Sequence, residues 1–131
     1  EYRVFRRLHS LRAQDPAIAN NYAYFAAVTG NDPAAIEPLA RHNHESAPAN
    51  AAYLATYAFV LSRQNRAAEA VALLQPLAAE WPKSPPLALA YGLPLASAGR
   101  KDDARAPLSS LDPSTLTVRE AELVADALRR S

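Results

Sequence analysis

Cysteine and methionine are absent from this 131-residue chain, and glycine occurs only three times. Without cysteine there are no disulfides, no thiolate metal sites and no cysteine nucleophile. Three glycines are too few for a glycine-rich phosphate loop. His9, His42 and His44 are the only histidines, meagre material for a zinc site that takes three or four ligands. No run of about 18 apolar residues occurs, so nothing reads as a membrane span. Charge of one sign is also missing. Lys and Arg total 14 against 13 Asp and Glu, a net charge of +1, which argues against nucleic-acid binding through bulk charge. Twelve of the 14 cations are arginine, a bias expected of a GC-rich, bacterial genome. The chain begins at Glu1, which reads as a piece excised from a longer protein, and its composition does not select a compartment.

What is abundant is alanine, with 30 residues, in a chain that is 50% hydrophobic. Alanine is the strongest helix former, so the composition predicts an all-α domain, a single one at this length. Eleven prolines are the anomaly. Many of them punctuate. Asp15-Pro16, Asp32-Pro33 and Ser84-Pro85 each place a capping side chain before a proline suited to the first helical turn. Pro48, Pro82 and Pro113 follow apolar stretches as stops, and Gly30, Asn65 and Gly99 stand where a helix end wants a left-handed residue. The marks predict eight helices, over 2–13, 16–29, 33–43, 50–63, 66–80, 85–98, 101–110 and 117–129, the last opened by a Thr117-x-x-Glu120 capping box. In 50–63, Leu54, Ala58 and Leu61 form one apolar stripe and Tyr53, Tyr57 and Val60 another, the pattern of a helix packed between neighbours. Pro38, Pro76, Pro94 and Pro107 fall inside these helices, where each is expected to kink or end one.

Self-similarity follows from the same punctuation. Pro48 and Pro82 are 34 residues apart, as are Tyr57 and Tyr91, Ala58 and Gly92, Leu61 and Leu95, Asn65 and Gly99, Ala70 and Ala104, and Leu74 and Leu108. Upstream, Ala23, Gly30, Ala35 and Leu39 precede Ala58, Asn65, Ala70 and Leu74 by 35 residues, which puts one extra residue in the 41–49 connection. Each unit has a small residue at the helix crossing, a turn residue, a small residue early in the second helix and a large apolar residue after it. On these residues the chain resembles the tetratricopeptide repeat (TPR) family over residues 16–116. The aromatic signature of that family is weak here, with Ala19, Leu54 and Ala88 near the start of the first helices.

The resemblance implies a right-handed superhelical array of antiparallel hairpins: units 16–48, 49–82 and 83–116, preceded by residues 1–15 as the second helix of an earlier unit and closed by 117–131 as a solvating capping helix. It also implies a concave face lined by the first helices, with a partner-binding groove formed by Asn20, Asn21, Tyr24, Ala55, Phe59, Ser62, Arg63, Leu89 and Leu93. Tyr24, Phe59 and Leu93 would be its apolar anchors, and the asparagines would bond a peptide backbone. The same side chains also suit the filled inside of a tight superhelix, and an irregular helical bundle is the alternative architecture. The carboxylate clamp of one branch of the family is not matched, because the lining holds no lysine and keeps asparagine only in the first unit.

Other chemistry is sparse. His42 and His44 lie two residues apart at a helix end and do not share a helix face. Arg3, Arg6, Arg7 and Arg12 make the first helix basic, the pattern of a solvated face in preference to one meeting nucleic acid or an acidic partner. No nucleophile elbow or other catalytic spacing occurs. The sequence therefore predicts a non-catalytic scaffold without cofactor or metal that binds a protein or peptide. The alternative is a structural or self-associating segment of a larger protein.

Overall fold

Local caps set several of the helix starts. Asp15 Oδ1 accepts from the backbone N–H groups of Ala17 (3.0 Å) and Ile18 (3.2 Å), and Asn50 Oδ1 accepts from Tyr53 N (3.0 Å). Each such cap contributes about 1 kcal/mol. The computed structural model describes residues 1–129, and these form α1 (Tyr2–Leu11), α2 (Pro16–Thr29), α3 (Pro33–Ser46), α4 (Ala51–Arg63), α5 (Ala67–Leu73), α6 (Pro85–Ser97), α7 (Lys101–Ser109) and α8 (Val118–Arg129). Short 3₁₀ turns lie at Gln75–Leu77, Trp81–Lys83 and Pro113–Thr115, and the described residues contain no strand. Arg130 and Ser131, the end of the expected capping helix, lie outside the described residues.

The helices pack as successive hairpins: α2 with α3, α4 with α5, and α6 with α7. The first helices lie side by side in the order α2, α4, α6, while α1 covers α2 and α8 packs on α6 and α7 and reaches back to α2. Small residues sit where the helices approach. Ala23 and Ala58 are wholly buried, and a Cβ added at Gly92 would stand 2.6 Å from Leu108 Cδ2. Gly30, Asn65 and Gly99, the three expected turn residues, all have positive φ, at 76°, 62° and 82°. Asparagine tolerates the left-handed region better than most residues, and glycine enters it freely.

The extra residue of the first unit is not in the 41–49 connection. Ile36 and Ala40 are buried where Ala35 is exposed, so the buried positions of α3 precede Ala70 and Leu74 of α5 by 34 residues. The insertion therefore lies in the α2–α3 turn, where two residues, Asn31 and Asp32, separate left-handed Gly30 from Pro33, while only Arg66 separates Asn65 from Ala67.

The internal prolines act differently from one another. Pro38, Pro94 and Pro107 stand inside continuous helices. Pro76 ends one: the expected helix over 66–80 stops at Leu73 and continues as a 3₁₀ turn containing Pro76. A proline at 76 has no N–H for the Ala72 carbonyl, and its ring crowds that carbonyl. The α1 helix is also shorter than expected, ending at Leu11, and α3 runs three residues further, to Ser46.

Asp32 was expected to cap α3, yet its side chain makes no cap bond. Its Oδ2 accepts instead from the hydroxyls of Tyr2 (2.6 Å) and Tyr22 (2.7 Å), with Arg6 Nε 3.9 Å away. These bonds pin α1, which has no fully buried residue, to the α2–α3 turn. Ring contacts add to the attachment, Phe5 on Phe25 (5.6 Å) and His9 on Tyr22 (5.2 Å). The Tyr2 and Tyr22 hydroxyls hold the Asp32 carboxyl below the usual carboxylate range. A carboxyl lowered on folding stabilises the fold above its unfolded pKa of about 3.9 and loses that contribution as pH falls through the lower folded value. Amide exchange in α1 is therefore expected to accelerate selectively as pH drops below about 4, after correction for intrinsic rates, and Asp32→Asn is expected to remove that acid step.

Candidate functional site

The helices α2, α4 and α6 lie side by side, and small alanines leave space along them. Ala51, Ala52 and Ala55 on α4 leave a cavity of about 710 Å³ between α2 and α6. Asn20, Asn21, Tyr24 and Phe25 of α2 form one wall, Pro85, Leu87 and Leu89 of α6 another, and Thr115, Leu116 and Glu120 form the roof. A second cavity of about 350 Å³ lies further along the same helices, lined by Phe59, Ser62, Arg63 and Leu93, by Lys101, and by Leu123, Asp126 and Ala127 of α8.

The nine residues expected to form one groove all line cavities along α2, α4 and α6, but they divide between two of them. Asn20, Asn21, Tyr24, Ala55 and Leu89 line the larger one, and Phe59, Ser62, Arg63 and Leu93 the smaller. Helix α8 contributes its first turn to one and later turns to the other. Its residues Leu123, Val124, Ala127 and Leu128 pack on the main core, so this helix lies against α6 and α2 beside both cavities. Phe59 is 1% exposed and Leu93 is also buried, which makes both of them core residues with α8 in place.

Polar groups at the smaller cavity serve the fold. Arg63 Nε donates to the Ala27 carbonyl (3.0 Å) at the end of α2, which also accepts from Gly30 N (3.3 Å). Burial, and then the charge of Arg119, lower the Arg63 pKa from the usual arginine value. Ser62 Oγ donates to the Phe59 carbonyl (2.9 Å).

At the larger cavity Glu120 has two tasks. Oε1 accepts from Thr117 N (2.9 Å), and Glu120 N donates to Thr117 Oγ1 (3.2 Å), the reciprocal bonds of the capping box. Oε2 accepts from the Tyr24 hydroxyl, so the start of α8 is tied to α2 across 96 residues of sequence. Burial, then this hydrogen bond, push the Tyr24 hydroxyl pKa well above the usual tyrosine value. The capping box was legible as a helix start; its second task was not, because no local spacing links positions 24 and 120. Tyr24→Phe is expected to cost about 1.5 kcal/mol, a hydrogen bond to a charged group. It should speed amide exchange in α8 roughly tenfold while leaving α4 unchanged.

The histidines stand apart from both cavities. His44 stacks on Tyr57 (5.8 Å). His42 lines a third hollow of about 290 Å³ beside Asn43 and Tyr53, where Asn43 Nδ2 donates to the Pro16 carbonyl (3.0 Å). Among the described residues no helix is long and apolar enough to cross a membrane. No family model matches the chain, and no curated protein or solved structure gives a significant match to it.

Proposed function

We propose that the chain is a TPR-like array, coiled as a right-handed superhelix, that acts as a non-catalytic scaffold and takes a peptide or partner protein on its inner face. The observation that carries this reading is the larger cavity. It touches the first helix of all three hairpins, and its wall presents the Asn20 and Asn21 amides without a hydrogen-bond partner among the described residues. An unpartnered amide pair beside apolar walls suits an extended peptide, whose backbone offers donors and acceptors at regular intervals. The 34-residue recurrence of buried small residues and left-handed turn residues supports the family reading. Tyr24 remains at the cavity, whereas Phe59 and Leu93 become available only where α8 moves aside.

Affinity capture with the native chain, run beside an Asn20→Ala/Asn21→Ala variant, tests the proposal. The expected result is a discrete bound protein that the variant loses while its thermal unfolding is unchanged. Equal recovery by both chains would contradict the groove.

One observation favours self-association as a second reading. Val4 and Leu11 of α1 are 56% and 66% exposed, large values for apolar side chains two turns apart on one helix face. Concentration-dependent sedimentation that Val4→Asp abolishes would support it, and a monomer at every concentration would remove it.

A further inference from the structure

We infer that the larger cavity is also a site for a small, uncharged, mainly apolar molecule carrying one hydrogen-bonding head group. This goes beyond the scaffold reading and does not depend on it, since it requires the cavity and not an extended partner. The volume of about 710 Å³ falls within the range of roughly 300–1,000 Å³ typical of small-molecule sites. Its walls are mostly apolar, and the alanines of its floor leave space that larger side chains would fill.

The polar groups define the head. Thr56 lines the cavity at 5% exposure, and its hydroxyl makes no hydrogen bond with any described residue. A hydroxyl that faces a mostly apolar space without a protein partner offers a ligand head group a hydrogen bond that fixes its orientation. The Asn20 and Asn21 amides are unpartnered on the neighbouring wall. Charge excludes anions: no Lys, Arg or His is among the described lining residues, and the one ionisable carboxyl there, Glu120, already accepts from Thr117 and Tyr24. A carboxylate ligand would enter an apolar space beside a like charge. A medium-chain alcohol or primary amide combines an apolar body with an uncharged hydrogen-bonding head group; a free fatty acid brings a charge that the lining does not pair.

The test uses the neutral fluorophore N-phenyl-1-naphthylamine with the whole chain. The expected result is saturable, blue-shifted emission from one site per chain, displaced by 1-octanol and octanamide more effectively than by octanoate. Ala52→Phe, at an exposed position that lines the cavity, should weaken the probe about tenfold or more by filling its space. Thr56→Val should weaken displacement by 1-octanol relative to octane. Absence of saturable binding would overturn the inference, as would unchanged probe affinity in a normally folded Ala52→Phe chain or stronger displacement by octanoate. Should Ala52→Phe lower the melting temperature, the competition on the native chain decides alone: failure of 1-octanol to displace the probe overturns the site. None of these outcomes touches the scaffold reading, which stands or falls on capture of a macromolecule.

Discussion

Phe59→Ala is expected to lower the unfolding free energy by about 3–5 kcal/mol, the range for truncating a fully buried aromatic. Phe59 lies in the middle of α4 at 1% exposure, with the Tyr24 ring centroid 5.3 Å away, in the main core that also takes in residues of α2, α6 and α8. No element flanking it is free to collapse inward without separating from the others, so most of the cavity left by the ring should persist. Urea unfolding measures the change directly, as a lower midpoint at constant slope. Phe59→Glu should not fold, because the carboxylate would be buried without a partner. A loss below about 1 kcal/mol would place Phe59 at a surface and would restore it as a groove anchor.

Gly92→Val is expected to be nearly as damaging, at about 3 kcal/mol, the upper end of the usual overpacking range. The first added carbon alone would meet Leu108 Cδ2 at 2.6 Å and Cγ at 2.7 Å, with Pro107 Cβ at 3.5 Å. Leu108 and Pro107 are themselves buried, so relief requires α6 and α7 to part. Helix propensity favours valine over glycine by only a few tenths of a kcal/mol, far too little to offset that clash. Gly92→Ala separates the two effects: its propensity gain of about 1 kcal/mol opposes a steric penalty smaller than that of valine but larger than this gain, because the Cβ itself makes the clash. The melting temperatures should therefore fall in the order native, Gly92→Ala, Gly92→Val. A Gly92→Val chain as stable as the native one would mean that α6 and α7 do not cross closely at this point.

The helices were legible because alanine content, proline punctuation and the Asp15 cap are local signals that the tertiary structure reinforces, although Asp32 and Ser84 make no cap bond. The hairpin spacing was legible for the same reason, since the turn residues Gly30, Asn65 and Gly99 mark each reversal. Two features were hidden. The position of the extra residue was hidden because Ala35 and Leu39 match Ala70 and Leu74 in residue type, whereas the buried pair is Ile36 and Ala40, one residue further on. The fate of the groove anchors depended on α8, whose return to α2 rests on the Tyr24–Glu120 hydrogen bond between residues 96 apart. Pro76 shows the remaining difficulty. Four prolines stand at comparable interior positions, yet only this one ends its helix: Pro94 and Pro107 are buried between packed helices, which hold the chain helical despite the lost hydrogen bond, whereas exposed Pro38 stays helical and exposed Pro76 does not, a difference the structure does not explain.

The inner face as the working surface is tested most directly by amide chemical-shift mapping with the captured partner. The account predicts perturbations centred on Asn20, Asn21, Ala52, Thr56 and Leu89, with little change at Arg41, Glu69 and Arg105 on the second helices. Shifts concentrated on those second helices, with the cavity residues unmoved, would contradict it.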